Sequence, residues 1–320
     1  MEKNKKVLFV DTAHESLKLA LENYGFQCDY FPKYKRADFE KCIGEYFGVI
    51  IRSKIQLDKE ILNRAVNLKF IGRVGAGMES IDLDYAEKKG IACFNSPEGS
   101  RDAVGEHTIG ILLALMNNIC FSDKQVRQGI RKREENRGIE IKGKTIGIIG
   151  YGNMGSAFAQ RLKSFDVEVI AYDKYKTDYS SDLVKEETMK SLFESVDILS
   201  LHVPLTVETY YLVDDLFLNK FKKEIFLINT ARGPVVKTDD LVENLKSGKV
   251  RGAALDVLEY ESFSFEKFNT DEFPESYKYL ISADNVVLNP HIAGLTKESY
   301  IKLSEVLAEK IIKFLKENNY

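Results

Sequence analysis

Short β-branched apolar runs recur along this chain, separated by segments whose apolar residues follow a helical period. The runs are VLFVD (7–11), GVIIRS (48–53), LKFIGRV (68–74), IACFN (91–95), KTIGIIG (144–150), VEVIAYD (167–173), VDILSLHV (196–203), IFLINT (225–230), VRGAALDV (250–257) and NVVLNP (285–290). Continuous apolar runs of this length suit strands covered on both faces. With helices between them they predict βαβ units and parallel sheets. The alternation breaks once. From Arg101 to Gly129, with AVGEHTIGILLALM as the apolar part, the pattern predicts one or two long helices, and the charged stretch RKREENRGIEIKGK follows. This join separates a first α/β domain of about four strands from a second that starts near Lys144. Near the C-terminus, Ile301, Leu303, Val306, Leu307, Ile311, Ile312 and Leu315 share one face of a helix about six turns long. Such a face must dock, and the first domain, which has no closing element of its own, is the expected host.

A length of 320 residues agrees with two domains. Apolar residues make up 44% of the chain, charged residues 30%, and the net charge is -3. No basic excess invites nucleic acid. The four cysteines, Cys28, Cys42, Cys93 and Cys120, are far apart and include no C-x-x-C pair, so neither a zinc site nor a disulfide framework is expected. The N-terminal apolar run is too short for a signal peptide, and the longest apolar stretch, Ile109 to Met116, is too short to span a bilayer. The expectation is a cytoplasmic protein with no membrane partner and no metal.

Gly150, Gly152 and Gly155 form G-x-G-x-x-G. Alone the motif is weak, but here it ends the strand KTIGII and opens the helical run SAFAQRLKSF. The next strand, VEVIAYD, ends in Asp173. The first glycine permits a tight turn, the second lets backbone approach a pyrophosphate, and the third lets the helix pack closely. Asp173 can accept hydrogen bonds from ribose hydroxyls and would repel a 2'-phosphate, so the expected cofactor is NAD. Lys174 and Lys176 leave a small opening for NADP.

Three charged residues follow predicted strands in the second half: Arg232 after IFLINTA, Glu261 after LDVLEY, and His291 in NPHIAGLT. Each alone is as well read as a surface ion pair. Together, at strand ends of a dinucleotide domain, they suit hydride transfer at a hydroxyl-bearing carbon. The histidine would exchange the hydroxyl proton and the carboxylate would orient it. The arginine would hold a substrate carboxylate and polarise the keto oxygen.

With GRVGAGMESID, SRDAVGEH, GKTIGIIGYGNMG, LHVPLT, NTARG, ALDVLEYE and NPHIAG in order from about Gly48 to the C-terminus, the chain resembles the D-isomer-specific 2-hydroxyacid dehydrogenases, and among them the 3-phosphoglycerate dehydrogenases. The resemblance implies that Arg232, Glu261 and His291 are the catalytic set. It places Asn153 and Met154 of the glycine-rich turn, Thr230 and Ala231 of NTARG, and His291 itself beside the cofactor. Asp256 would contact the nicotinamide carboxamide, and His202, Pro204 and Thr206 would line the adenine side. Arg52 and Ser53, with backbone from Val74 through Gly75 and Ala76 to Gly77, would hold the substrate's acid group together with Arg232. It further implies two Rossmann-like domains with parallel sheets. The substrate-binding domain (1–101 plus 296–320) would be discontinuous and closed by the C-terminal helix, and 102–295 would bind NAD. A homodimer joined through the NAD-binding domains is also implied.

The chain departs from the family pattern at Ser100 and Ala103, where asparagine and a hydroxyl residue are usual. It also lacks the proline that often follows the catalytic glutamate and carries a long aromatic segment after Glu261. A C-terminal regulatory domain, and with it feedback by serine, is not expected. Arg52 with Lys54 is the best local candidate for a phosphate, which points to 3-phosphoglycerate and serine biosynthesis. Glyoxylate, hydroxypyruvate or a branched 2-keto acid is the alternative. A corepressor-like NAD sensor would need an extra basic patch or interaction segment, and none is seen. An L-specific lactate or malate dehydrogenase would carry its fingerprint near the N-terminus.

Overall fold

The computed structural model describes residues 5–261 and 274–320. The chain forms two compact units, one of Met1–Arg101 with Leu295–Tyr320 and the other of Asp102–Gly294.

The first unit holds β1 (Lys6–Phe9), β2 (Gln27–Tyr30), β3 (Gly48–Ile51), β4 (Phe70–Arg73) and β5 (Ala92–Asn95). They pair in parallel in the order β2-β1-β3-β4-β5, with α1 (Glu15–Asn23), α2 (Arg36–Cys42), α3 (Lys59–Arg64) and α4 (Leu83–Lys88) between them. The sheet has five strands where the sequence pattern gives about four. The additional strand, QCDY, is a partly exposed edge with no apolar run to announce it. The central strand GVII is buried at every position, as its uninterrupted apolar character requires.

The C-terminal helix, Lys297–Glu317, starts at a capping box in which Thr296 and Ser299 satisfy each other's backbone N–H groups. Leu303, Leu307, Ala308, Ile311 and Leu315 face inward, against Val7, Phe9, Leu17, Leu21, Phe47, Ile50 and Phe70. Ile301, on the predicted apolar face, stays exposed. Lys310 fixes the helix by donating to the Asn95 carbonyl at 3.0 Å and to Glu98 at 2.8 Å. The first unit is thus discontinuous and closed by the chain's last helix.

The second unit opens with two helices, α5 (Arg101–Met116) and α6 (Ile119–Arg127), turned by 62° at Asn118, whose φ is 53°. Among the described residues no single helix is long and apolar enough to cross a membrane. There follow β6 (Thr145–Ile149), α7 (Asn153–Arg161), β7 (Glu168–Tyr172), β8 (Lys185–Glu186), α8 (Met189–Ser195) and β9 (Ile198–Leu201). Next come α9 (Asp215–Leu218), β10 (Ile225–Asn229), α10 (Thr238–Lys246), β11 (Val250–Leu255), α11 (Glu275–Ser282) and β12 (Val286–Leu288). The two-residue strand β8 is too short to show in any apolar pattern. The strands form one parallel sheet in the order β12-β11-β10-β9-β6-β7-β8. Its two faces are covered by separate apolar cores, one around Leu199, Leu227 and Leu241, the other around Leu112, Ile148 and Phe158. Both units are parallel-sheet α/β domains of Rossmann type. Most of the aromatic segment after Glu261, residues 262–273, lies outside the described residues, and its end forms α11.

Candidate active site

All strands of the larger sheet are parallel, so their carboxyl ends share one edge, and the strand order reverses between β6 and β9. In open α/β sheets, ligands bind outside that edge at such a reversal. Gly150 follows β6 there, at φ 91°, with its N–H donating to the Tyr172 carbonyl at 2.8 Å. A Cβ on Gly155 would stand 2.0 Å from the Gly150 carbonyl oxygen, so α7 reaches the turn only with glycine at that position. A Cβ on Gly152 would meet nothing within 4 Å. The backbone therefore faces open space at the N-terminus of α7, whose first turn contains Asn153 and Met154. This is the cradle that a pyrophosphate needs: an open approach to backbone N–H groups at the positive end of a helix.

Asp173 ends β7 beside this turn. Its carboxylate accepts from the N–H of Tyr151 at 2.8 Å, of Tyr175 at 2.9 Å and of Lys176 at 3.0 Å. An ionised carboxylate offers about four acceptor positions, so the acid shapes the loop and keeps capacity for one further donor. Lys174 is paired with Glu208 at 2.6 Å, and Lys176 donates to the Tyr151 carbonyl at 3.2 Å. Replacing Asp173 by alanine is expected to erode a preference for NAD over NADP by about 10- to 100-fold, the worth of one charge-assisted hydrogen bond. Ratios of kcat/KM for the two cofactors check this, and equal use of both by the unaltered protein would contradict it.

Beyond β9, His202 donates its N–H to the Ile149 carbonyl at 2.8 Å. Its ring is buried, with Nε2 2.9 Å from Ser200 Oγ and the ring centre 5.5 Å from that of Phe158. Burial lowers the imidazole to about 3, so it is neutral. His202 thus supports the site from inside the sheet, while Pro204 and Thr206 are exposed beyond it.

The three charged residues of the second half follow β10, β11 and β12, on the same edge. Asn229 ends β10 and clamps the turn, its Oδ1 accepting from Ala231 N–H and its Nδ2 donating to the Arg232 carbonyl, both at 3.0 Å. Thr230 and Ala231 are buried, and Thr230 Oγ1 lies 3.4 Å from Thr108 Oγ1. Arg232 is partly exposed and donates from Nη1 to the Ala231 carbonyl at 2.7 Å. A Cβ on Gly233 would fall 1.9 Å from the Leu258 carbonyl oxygen, so the turn after Arg232 packs directly on the turn that carries Glu261.

Glu261 Oε2 lies 2.9 Å from His291 Nδ1, and its Oε1 accepts the Leu258 N–H at 2.7 Å. The Glu261 side chain is 14% exposed and that of His291 31%, so the pair is sheltered while the imidazole keeps access to solvent. With Nδ1 held on a carboxylate, Nε2 is the ring nitrogen on the far side from Glu261. His291 sits at φ 55°, a conformation that non-glycine residues seldom adopt, and its N–H donates to the Asp256 carbonyl at 2.7 Å.

Asp256 organises this loop from beneath. Its two carboxylate oxygens each accept at 2.9 Å, from Ile292 N–H and Ala293 N–H. His107 Nε2 lies 3.2 Å from Oδ1. Burial works against the charged form of Asp256. The His107 contact and the two backbone donors outweigh it and hold the carboxyl below its usual range. The sequence reading reaches Asp256 but not His107 or Asn229. A histidine inside the apolar run AVGEHTIGILLALM was the available signal for the first.

In the first unit, taken by itself, Arg52 and Ser53 follow β3, beside the reversal of that sheet between β1 and β3. The N–H groups of Arg52 and Lys54 donate to Asp11 Oδ2 at 2.8 and 3.3 Å, and Lys54 Nζ donates to the Pro32 carbonyl at 2.5 Å. The segment after β4 turns at Gly75 (φ 145°). Val74 N–H is used by the Ile51 carbonyl at 2.8 Å and Gly75 N–H by Ser96 Oγ at 3.2 Å, while Asn95 Nδ2 donates to the Ala76 carbonyl at 2.6 Å. Ser100 and Ala103, at the departures from the family pattern, are both buried.

Residues 109–293, more than half of the chain, match the family model for the NAD binding domain of D-isomer specific 2-hydroxyacid dehydrogenases. The chain belongs to this family. It is an NAD-dependent oxidoreductase acting on the CH–OH group of 2-hydroxy acids. A glyoxylate reductase of Thermofilum pendens is 42% identical over 82% of this chain and 76% of its own length. A D-3-phosphoglycerate dehydrogenase of Archaeoglobus fulgidus is 33% identical over 97% of this chain, which spans 57% of that relative. The crystal structure of D-lactate dehydrogenase from Aquifex aeolicus, complexed with NAD and lactic acid, superposes with a TM-score of 0.82 at 28% identity, covering 98% of this chain and 96% of that one.

Proposed function

We propose that the chain reduces short 2-oxo acids of the glyoxylate and hydroxypyruvate class to the corresponding 2-hydroxy acids, of D configuration where the carbon is a stereocentre, with His291 as the proton donor. The observation that carries this reading is the 2.9 Å contact of His291 Nδ1 with Glu261 on the edge of the sheet that also holds the glycine-rich turn. NADH, when bound, supplies the hydride to the keto carbon. His291 Nε2 delivers the proton that the carbonyl oxygen needs as charge develops on it. Glu261, 2.9 Å from Nδ1, holds the ring in one orientation and tautomer. Arg232 would bind the substrate carboxylate and polarise the keto oxygen, and Asp256, which supports the histidine loop, would hold the carboxamide of a bound nicotinamide. In the first unit, taken by itself, Arg52 and Ser53 follow β3 and are the side chains that the family resemblance assigns to an acid group. Internal partners already use the N–H groups of Val74 and Gly75, so the backbone donors assigned to the substrate are those of Ala76 and Gly77. We also assign a homodimer joined through the second units, with the exposed Ile119 and Val126 of α6 supporting an apolar contact there.

The unphosphorylated class is preferred because Lys54 Nζ is engaged by the Pro32 carbonyl, and the backbone N–H groups of Arg52 and Lys54 already bind the anionic Asp11. Its likeness to a glyoxylate reductase agrees with this. The second reading, oxidation of 3-phosphoglycerate, is favoured by the Arg52 guanidinium and by an alignment with a phosphoglycerate dehydrogenase over 97% of the chain. Initial rates over glyoxylate, hydroxypyruvate, glycerate and 3-phosphoglycerate separate the two. The first two substrates are expected to exceed 3-phosphoglycerate by about tenfold or more in kcat/KM, the effect of one well-placed contact. The reverse ranking, together with a selective loss on 3-phosphoglycerate in Arg52→Ala, would replace this reading by the second.

A further inference from the structure

Tyr211 lies in the loop after β9, at φ 52°, where a side chain is seldom placed without a local reason. Two contacts tie it to the turns that carry the candidate catalytic groups. Its N–H donates to the Pro234 carbonyl at 2.8 Å, two residues beyond Arg232, and its hydroxyl donates a short hydrogen bond to Glu259 Oε1. The other oxygen of Glu259 accepts the Thr238 N–H at 2.8 Å, at the start of α10. Glu259 belongs to the turn in which Leu258 N–H donates to Glu261 Oε1 at 2.7 Å and Glu261 N–H to the Leu258 carbonyl at 3.3 Å. The underside of that turn rests on Gly233.

We infer that Tyr211 and Glu259 form a positioning pair: the hydroxyl–carboxylate contact fixes the 258–261 turn so that Glu261 meets His291. The inference rests on the acid–base reading given above. Neither residue is asked to touch substrate or cofactor. An anchored turn matters because a hydrogen bond weakens steeply with misalignment, and Glu261 reaches His291 from this turn. The Glu259 hydrogen bond, with Tyr210 adding to it, raises the Tyr211 hydroxyl well above the ordinary phenol range, so it remains a donor throughout the working pH range. Other titratable groups face the pair. The Tyr210 ring centre is 4.2 Å from that of Tyr211; burial, with Glu259 and Asp239 adding to it, raises the Tyr260 hydroxyl, and burial with Glu261 raises that of Tyr277. Lys237 is turned to Asp240 at 3.0 Å.

The test is kcat against pH for reduction of hydroxypyruvate by NADH in the full chain, with the melting temperature of each variant recorded. The variants are Tyr211→Phe, Glu261→Gln and the two combined. A carboxylate close to a partner shifts a titration by about 1–3 pH units, so its partial misplacement in Tyr211→Phe should move the fall-off in kcat about half a unit to lower pH. The KM for NADH should stay unchanged. In the Glu261→Gln background the same change should move nothing further. Tyr211→Gly, which suits the left-handed backbone, should behave like the phenylalanine variant, because the hydroxyl is what acts. Glu259→Gln serves if either tyrosine variant fails to fold. Parental profiles in these variants, with a displaced profile in Glu261→Gln, would overturn the positioning role even if melting temperatures fell. An undisplaced profile in Glu261→Gln would overturn the acid–base reading and this inference with it.

Discussion

Replacing His291 by alanine is expected to cut the turnover of 2-keto acid reduction by about 10²–10⁴-fold, the usual cost of losing a positioned general acid. NADH binding should persist, because the glycine-rich turn and Asp173 stand on β6 and β7 while His291 follows β12. The His291 N–H bond to the Asp256 carbonyl is a backbone contact that alanine keeps, and Asp256 holds the rest of the loop through Ile292 and Ala293. The site should therefore retain its shape and lose only the proton donor. Arg232→Ala is expected to differ by raising KM and lowering kcat together, since the guanidinium both binds and polarises. Steady-state rates with NADH fluorescence titrations distinguish the two patterns. Near-normal turnover in His291→Ala would move the proton to another group.

Deleting the last twenty residues is expected to abolish soluble, cooperative folding of the first unit. The deletion removes Leu303, Leu307, Ile311 and Leu315, all inside the core that covers Val7, Phe9, Ile50 and Phe70. Burying each such side chain contributes about 1.5–3 kcal/mol. Four of them therefore represent roughly the whole net stability of an ordinary domain, about 5–15 kcal/mol. Loss of Lys310 also leaves Glu98 without the partner that, against the effect of burial, holds its carboxyl below the usual range. Size-exclusion chromatography with thermal unfolding checks the outcome. A truncated chain that stays monodisperse at an unchanged melting temperature would contradict the docking role.

The parts of this architecture that the sequence discloses are those where burial and backbone geometry leave few residue choices. Runs such as GVII and TIGII read as strands because both of their faces are covered, whereas QCDY does not, because an edge strand needs no apolar run. The glycine-rich turn is legible because Gly155 and Gly150 approach too closely for a side chain. The role of Asp173 in holding its own loop is not, since three backbone donors leave no mark on residue type. Arg232, Glu261 and His291 stand out as charges at strand ends. Their supports, Asn229, His107, Tyr211 and Glu259, do not, because a supporting contact depends on tertiary placement across 48 residues for Tyr211 and Glu259. The ring of His202 shows the same limit: its position after β9 follows from sequence, and its inward direction comes from packing on Phe158.

The pH dependence of the reduction rate, measured side by side for the unaltered chain and Glu261→Gln, tests the central claim most directly. A general acid must carry its proton to give it, so the rate of reduction is expected to be full at low pH and to fall as pH rises. A neighbouring carboxylate favours that protonated form. Glutamine keeps the shape of Glu261 and removes the charge, so the fall-off should move to lower pH with a reduced plateau. Coincident profiles for the two proteins would show that the Glu261–His291 contact does not govern the proton transferred to substrate.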